Sequence, residues 1–412
     1  MRHLASIPRA AFAVLFLLAA LAPASAATSV LVVDPGAGPF TQIQDAVNAA
    51  ADGDVILVKN GSYTAVTVDN KGVSIVADTG SPTLRPVIAR VTIKNLSASR
   101  RVLLRGFRIA IVPTPFGTNI GVLLDSNFED VLLENCVLLG GLPSVQVTNS
   151  TRATLVRCAV GGSPAVKATG SVVHLFEGAC AGDDGADATS TPFGVIQAGP
   201  GAAGFECEGS SLVNFHGTPL TGGDGGDGLF SGGNCHPGAD GGPGLLLASG
   251  VVFLRDVPIA GGAGGAPGSG CGNGGNPGPA IDQQGGSVLT SAESKRVLSI
   301  GSPVREGNAT TLSMSGVPGD SVFLLLSIDA DAQFIGNFRG TLVAASPFLL
   351  VGPIGTLPPS GDLSINVGIP PNLLAPGVEG LEAVLQMIVP VSPGSGAAIG
   401  SPSVLTVVDP AF

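Results

Sequence analysis

The sequence predicts an all-β protein in which a solenoid of stacked parallel strands is followed by a small antiparallel β-sandwich. Its 412 residues include 62 Gly and 32 Pro, which interrupt helices and favour turns. Hydrophobic residues make up 44% of the chain and charged residues 12%, a balance that excludes a disordered protein. Short apolar segments recur along the chain and predict the stacking. The net charge of -11 argues against nucleic acid as a partner, because such proteins bring Lys and Arg to the phosphates.

The N-terminal 26 residues have the three parts of a secretory signal peptide. Arg2 and Arg9 precede an apolar run over 10–21, and the small residues at 24–26 supply a cleavage site. A membrane anchor needs about 20 apolar residues, and this run is shorter. We therefore expect residues 1–26 to be removed and the mature chain to be secreted, extracellular or at the cell surface, with no transmembrane span.

The solenoid prediction rests on internal repeats of a strand, a turn, a second strand and a second turn. The repeats cover 119–141, 141–162, 162–182, 201–223 and 242–262, with a degenerate copy from 278. Their aligned apolar positions are Leu104, Leu133, Val156, Phe176, Phe215 and Leu254, which are 29, 23, 20, 39 and 39 residues apart. A minimum spacing of 20 to 23 residues, with longer gaps where loops are inserted, is typical of a solenoid.

A repeat of this length cannot bury its apolar face alone. Successive repeats must therefore stack in parallel at about 4.8 Å per layer. Asn and Gly tolerate left-handed backbone angles and recur where corners between strands are expected. The predicted corner residues are Asn127, Asn135, Asn149, Gly170, Gly178, Gly209 and Gly217.

The N-terminal part of the mature chain carries a more specific pattern. Gly36-x-Gly38-x-Phe40 precedes a helical segment over 41–51 whose Ile43, Val47 and Ala50 share one face, and Gly53-Asp54 leads into the apolar strand 55–58. This segment resembles the opening of pectin-lyase-like right-handed parallel β-helix proteins, although Asn60 departs from the family pattern. The resemblance implies that residues 27–293 form a β-helix with an N-terminal capping helix.

Residues 294–412 have a different character. Short alternating strands separated by Pro, Gly and Asn replace the Gly-rich turns, for example over 311–328 and 382–391. This pattern predicts a separate antiparallel β-sandwich.

The resemblance also sets an expectation for chemistry. Relatives that cleave acidic polysaccharides use carboxylates and an Arg that converge on the outer face of the helix, and no matching motif occurs in this chain. The chain has one Tyr and no Trp, the aromatic residues that most often contact sugars. We expect a non-catalytic structural, adhesive or glycan-contacting protein whose partners are polysaccharides or cell-surface components. The alternative is a lyase or hydrolase acting on an acidic glycan, which requires at least three charged side chains from different layers in one outer groove.

A column of charge is the first candidate binding feature. The residues that follow the aligned apolar positions are Arg105, Glu134, Arg157, Glu177, His216 and Arg255. Such an outward-facing column either binds an anionic glycan or forms an ion ladder whose exposed pairs contribute about 0 to 1 kcal/mol each. We favour the ion ladder.

The Gly-rich loops are the second candidate. Residues 222–230 match a calcium-binding nonapeptide repeat, which makes Asp224 and Asp227 candidate ligands for Ca²⁺. Such sites require tandem turns, and the following segment does not fit. The other interpretation is a loop with solvated acids, and we expect no cofactor.

Six Cys in an exported chain suggest disulfides, with 15 possible pairings. Chain order and repeat spacing favour Cys136 with Cys158, Cys180 with Cys207, and Cys235 with Cys271. Glu206 and Glu208 flank Cys207 in an alternating strand, which predicts an inward Cys and a solvated acidic face.

Overall fold

A computed structural model describes residues 29–80, 83–97, 99–111, 119–192, 194–335, 340–391 and 396–412. The predicted signal peptide at 1–26 lies outside the described residues. The chain divides into two compact units. One consists of Val33–Ala49 and Val58–Glu293, and the other of 29–32, Ala50–Leu57 and Ser294–Phe412. The second unit thus includes two short N-terminal stretches that the sequence analysis assigned to the solenoid.

Three long parallel sheets form a parallel β-helix, as predicted. Sheet A has ten strands in chain order. They are Val30–Val33, Val55–Val58, Ser74–Ala77, Val102–Arg105, Val131–Glu134, Ala153–Val156, Val172–Phe176, Leu212–His216, Val251–Arg255 and Ser287–Ser291.

Sheets B and C have eight strands each. Those of sheet B are Ser62–Tyr63, Val87–Ile88, Arg108–Ala110, Val137–Leu139, Ala159–Gly162, Ala179–Gly182, Leu220–Thr221 and Ile259–Ala260. Those of sheet C are Val66–Asp69, Val91–Lys94, Val122–Asp125, Val145–Thr148, Val166–Thr169, Phe205–Glu208, Leu245–Leu247 and Ile281–Gln283. Each layer passes through sheet C, sheet A and sheet B in turn.

Side chains alternate between the interior of the β-helix and its outer faces. In sheet C, Val122 and Leu124 are buried, and the residues that follow each of them are partly exposed. Phe205 of sheet C meets Phe215 of sheet A edge to face, with ring centroids 4.9 Å apart. This contact identifies the side of sheet A that faces the interior.

Left-handed corners join the strands at most of the predicted positions. Positive φ angles occur at Asn135, Asn149, Gly170, Gly178, Gly209 and Gly217. The exception is Asn127, because its neighbour Ser126 takes the corner with a φ of 55°. The Asn127 side chain is instead buried, where its Nδ2 donates to the Ile93 carbonyl at 2.9 Å and its Oδ1 accepts from the Leu96 N–H at 3.2 Å.

Helix α1, Ile43–Ala49, covers the N-terminal end of sheet C. It is shorter than the predicted 41–51, but Ile43, Val47 and Ala50 are all buried, as their spacing indicated. The Gln44 side chain bonds the free edge of the first sheet C strand, where it accepts from Thr67 N at 2.7 Å and donates to Thr67 O at 3.1 Å.

The long loops between sheet B and sheet C form a second layered structure, which we call the Gly-rich lattice. Each of three loops leaves the β-helix in an extended segment, turns and returns in another. The lattice comprises the outgoing segments 183–188, 222–228 and 261–267 and the returning segments 198–203, 237–243 and 274–279.

Hydrogen bonds in the lattice repeat every three residues. Gly223 and Gly226 donate to Ala202 O and Gly199 O of the first returning segment at 2.9 and 3.0 Å. Gly222 and Gly225 donate to the third outgoing segment, at Ala260 O and Ala263 O. A three-residue period with all backbone bonds between segments is the behaviour of polyproline II-type chains.

Glycine is required because the segments approach one another closely. A Cβ added at Gly226 would collide with the Ala186 carbonyl, and one at Gly262 with the Gly223 carbonyl. The same holds for Gly223, Gly242, Gly265, Gly275 and Gly278. The side chain of every third residue points outward instead, as at Asp224 and Asp227, which are exposed.

The C-terminal strands form two main sheets, as the sandwich prediction requires. One has three antiparallel strands, Val297–Ile300, Ala309–Ser315 and Asp362–Gly368. The other has five, in the order Val304–Arg305, Ala397–Val408, Gly380–Pro390, Ser321–Ser327 and Leu349–Thr356. Ala330–Ile335 and Gly340–Ala344 form a two-stranded pair. A shared core includes Leu312 and Met314 from the first sheet and Leu324, Met387 and Leu405 from the second.

Candidate functional site

The predicted charged column lies on the outer face of sheet A, but its six members do not share one register. Arg105, Glu134, His216 and Arg255 occupy equivalent positions in their layers. In the two intervening layers the position belongs to hydrophobic residues, Val156 and Phe176.

Arg157 and Glu177 come one residue later, at the left-handed corners, with φ angles of 52° and 58°. The predicted alignment was therefore wrong by one residue in these layers. The physical reason is that other layers place Gly106, Asn135 or Gly217 at this corner. Arg157 and Glu177 are not residue types that mark a left-handed corner, so the corner could not be recognised from the sequence in these two layers.

The column is also not exposed. Glu134 is completely buried, and Arg105 and Arg255 are more than nine-tenths buried. Arg105 Nη1 lies 3.1 Å from Glu134 Oε2, and Arg157 bonds the other carboxylate oxygen, Oε1. Arg157 Nη1 also lies 3.8 Å from Glu177 Oε2. These contacts are those of an ion ladder.

His216 contributes no charge to this column at neutral pH. Burial, the nearby Arg255 and His174 lower the pKa of His216 well below its usual range. Its ring stacks on Phe176, with centroids 4.7 Å apart and planes within 7°. Arg255 Nη2 lies 3.6 Å from the Glu293 carboxylate.

The exposed outer face of sheet C carries a second charged cluster, which the sequence analysis did not assemble. The predicted alternation around buried Cys207 is confirmed, because Glu206 and Glu208 are partly exposed. Lys167, one layer earlier, lies 2.9 Å from Glu206 Oε1 and 3.1 Å from Glu208 Oε1. The sequence signal for this cluster is that Lys167 and Glu206 occupy paired positions in successive layers. Aligning the repeats is enough to show this pairing.

The pKa directions of this cluster oppose general acid–base chemistry. Desolvation would lower the pKa of Lys167, but its hydrogen bonds to Glu206 and Glu208 outweigh that effect and raise it. The hydrogen bond from Lys167 lowers the pKa of Glu208. A catalytic base or acid at neutral pH requires shifts in the other direction. The cluster therefore behaves as a set of fixed opposite charges.

The turns of the Gly-rich lattice form a third surface, which we call the tip surface. It consists of the hairpins Thr189–Thr191 with Gly194–Ile196 and Leu229–Ser231 with Asn234–His236, together with the turn 268–273. This surface was not predicted, because contacts between separate loops leave no local pattern in the sequence.

Cross-contacts hold the three tips together. Ser231 Oγ lies 3.2 Å from Ser190 Oγ, and Gln197 Nε2 lies 3.0 Å from His236 Nδ1. The predicted disulfide between Cys235 and Cys271 is confirmed and joins the second tip to the third. The tip surface is therefore a fixed shape.

The tip surface is uncharged and carries two exposed apolar side chains, in contrast to the acidic lattice that carries it. Ile196 is 61% exposed and Phe230 is 50% exposed. No Asp, Glu, Lys or Arg occurs in 189–197, 229–237 or 268–273, and no Lys or Arg occurs anywhere between Lys167 and Arg255. The lattice segments meanwhile carry exposed Asp residues, so the tip surface lies within a negative field.

Asp224 and Asp227, the candidate calcium ligands, lie on one extended outgoing segment. Three residues of such a chain span about 9 Å, so their carboxylates point outward separately. Asp224 Oδ1 accepts from Ala263 N at 2.6 Å, and Asp227 Oδ1 accepts from Ala266 N at 2.7 Å. Among the described residues, no group of three or more His, Cys, Asp or Glu side chains is placed to hold a metal ion.

The other two disulfide predictions differ from the structure, in which Cys136, Cys158, Cys180 and Cys207 are buried free thiols. Cys136 Sγ lies 3.6 Å from Leu104 O and Cys158 Sγ lies 3.4 Å from Leu133 O, so each thiol contacts a carbonyl of the preceding layer.

Cys180 and Cys207 belong to different sheets, sheet B and sheet C. Burial raises the pKa of Cys180 to about 12 and that of Cys207 to about 11, with a further contribution from Glu208 to the latter. Such thiols are unreactive.

In the described part of the chain, no helix has the length and apolar character needed to cross a membrane. No protein-family model matches the sequence, and a search of the curated proteins finds no significant match. The fold and the three surfaces above therefore carry the functional argument.

Proposed function

We propose that this chain is an exported, non-catalytic β-helix protein of the pectin-lyase-like superfamily with a structural or adhesive role outside the cell. Its Gly-rich lattice presents the tip surface to a glycan or another cell-surface component. The signal-peptide pattern at 1–26 and the Gly36-x-Gly38-x-Phe40 opening support export and the superfamily.

The observation that carries the proposal is the contrast between the lattice and its tips. A hydrogen-bonded lattice holds three uncharged tips at fixed positions, and a disulfide ties two of them together. Preorganised loops bind with a smaller entropy cost than loops that must be ordered on binding. Exposed Phe230 offers an apolar ring on the second tip, opposite Cys235 in the hairpin.

The proposal is tested by binding of the mature protein to arrayed neutral and anionic polysaccharides. We expect Phe230→Ala to weaken binding roughly tenfold or more, because exposed aromatic anchors dominate contact surfaces. Phe128→Ala is the matched control, since Phe128 is 61% exposed at a corner of the β-helix. Equal loss in both variants, or no binding to any polysaccharide or to intact cells, would refute the tip surface as the contact site.

The same array separates the remaining alternatives. If the ion ladder is structural, the double variant Arg105→Gln/Arg157→Gln that remains folded keeps its binding. Release of unsaturated or reducing ends from a uronate polymer would instead identify an enzyme. Calorimetry with Ca²⁺ tests the metal at Asp224 and Asp227, and absence of both heat and a shift in Tm would end that hypothesis.

A further inference from the structure

The two ends of the β-helix differ in how their backbone edges are covered. At the N-terminal end, α1 packs against the first strand of sheet C, and Gln44 bonds both backbone groups of Thr67. At the C-terminal end, the last layer contains Ile259–Ala260, Ile281–Gln283 and Ser287–Ser291. Within the described ranges, no strand pairs with the far edges of these three.

The last layer exposes positions that are core elsewhere. Val252 and Leu254 are buried on the interior side of sheet A, but their counterparts Val288 and Thr290 are partly and fully exposed. Leu289, on the outer side of the same strand, is 48% exposed. The C-terminal end therefore leaves an open strand edge with apolar surface beside it.

The lattice part of this end is interrupted by proline at two positions. Gly228 and Gly241 of the second loop donate to Ala266 O and Asn276 O of the third loop at 2.8 and 2.9 Å. Their register counterparts in the third loop are Pro267 and Pro277, which have no N–H to donate to a further layer. Proline at an edge is a common way to prevent unwanted pairing.

The strand Ser287–Ser291 has no such protection. It contains no charge and no proline, and its pairing with Val251–Arg255 has no bulge. Natural edge strands are usually blocked by one of these features. The chain therefore interrupts the lattice edge with two prolines and leaves the sheet A edge without one.

The backbone direction of this strand defines which groups are available. Ser287 N donates to Gly250 O of the preceding layer at 2.9 Å. In a parallel pair the backbone groups of alternate residues point to the same side, so Leu289 and Ser291 also point to the preceding layer. Val288 and Thr290 consequently direct their N–H and C=O groups outward.

We propose that Ser287–Ser291 pairs with the same strand of a second copy of this chain across a two-fold axis at Leu289. Such an axis makes the strands antiparallel and sets Val288 opposite the partner's Thr290. Both residues direct their groups outward, so this register gives four hydrogen bonds and places the two Leu289 side chains in contact. The absence of charge on the strand removes like-charge repulsion from the pairing. This inference is independent of the proposed function.

The register is tested by cysteine cross-linking of the full mature chain with oxidised glutathione. Leu289→Cys should form a disulfide-linked dimer, because directly opposed residues of a non-hydrogen-bonded antiparallel pair have Cα atoms about 4.5 Å apart. Ser287→Cys is the matched control, since it faces the partner's Ser291 and should remain monomeric on a denaturing gel. Equal cross-linking of both variants would contradict the two-fold register.

The association is tested by light scattering over a hundredfold range of concentration. We expect a dimer. Leu289→Lys and Thr290→Pro should each weaken its association by roughly tenfold or more, and Thr290→Pro should do so because it removes a backbone N–H that points outward. Leu142→Lys, at a leucine that is 60% exposed elsewhere, should leave the dimer unchanged. A monomer at every concentration would overturn the proposal. A dimer that remains intact in a Leu289→Lys variant shown by circular dichroism to be folded would also overturn it.

Discussion

The β-helix and the Gly-rich lattice are both built from stacked layers, but opposite parts of the residue hold the layers together. In the β-helix, branched and aromatic side chains such as Leu133 and Phe215 fill an interior. The apolar side chains of one layer can be exchanged for others of similar volume. In the lattice there is no side-chain interior, and backbone hydrogen bonds join segments at distances that only glycine permits.

This difference means that the two regions should respond to opposite substitutions. The β-helix loses stability when a side chain is removed, and the lattice loses stability when one is added. The electrostatic contacts follow the same division. Glu134 is held between two Arg side chains, but Asp224 accepts a hydrogen bond from a backbone N–H of the next layer.

The largest expected effect is on the β-helix core. Phe215→Ala should lower the free energy of unfolding by about 4 kcal/mol, because it removes a fully buried ring and leaves a cavity against Phe205. Thermal unfolding followed by circular dichroism should show the loss over the whole β-helix. A loss confined to the neighbouring loop would mean that the layers do not unfold together.

An intermediate effect is expected in the lattice. Gly226→Ala should cost about 2 kcal/mol through steric overlap with the Ala186 carbonyl. Hydrogen exchange should increase in the lattice segments 183–188, 198–203, 222–228 and 237–243, and the sheet A amides should remain protected. Gly272→Ala is the control, because its added Cβ meets no atom within 4 Å. If both variants exchange alike, glycine is not needed for packing in this lattice.

The smallest effect is a pH dependence that belongs to the β-helix alone. Burial lowers the pKa of His174 from 6.5 to about 3, so the folded protein keeps this ring neutral while the unfolded chain binds a proton. The His174 contribution to stability should be fully present above pH 6.5 and fall by about 1.4 kcal/mol for each pH unit below it, and His216, whose pKa is also lowered, adds to the same slope. Chemical denaturation between pH 7.5 and 5 should show this slope, and His174→Thr should reduce it. An unchanged slope in that variant would assign it to other groups.

The β-helix was predictable because its signal is a repeated spacing of apolar residues. Leu104, Leu133, Phe215 and Leu254 do share one interior column. Val156 and Phe176 fell one residue out of register, because their corners are formed by Arg157 and Glu177 instead of Gly or Asn. Backbone angles of such residues are set by packing against neighbouring layers and leave no mark in composition.

The lattice and its tips were less accessible to sequence reasoning. The runs Gly222-Gly-Asp-Gly-Gly-Asp227 and Gly261-Gly-Ala-Gly-Gly-Ala266 place glycine at two of every three positions, which is the period that the hydrogen bonds follow. The same glycines also match a calcium-binding repeat, and that match drew attention away from the three-residue period. The contacts between tips, such as Gln197 with His236, join residues 39 apart in the chain, and no local pattern encodes them.

The outward residue of each lattice triplet has a consequence for how this protein can change over evolutionary time. Asp184, Asp224 and Ala263 occupy one outward row, so acidic and methyl side chains are both accommodated on an unchanged backbone. The rows repeat about every 9 Å along a segment and about every 4.8 Å between layers. The lattice is thus a surface grid whose geometry is fixed by glycine and whose outward chemistry can change one substitution at a time, at the cost of one hydrogen bond wherever an Asp accepts from the next layer.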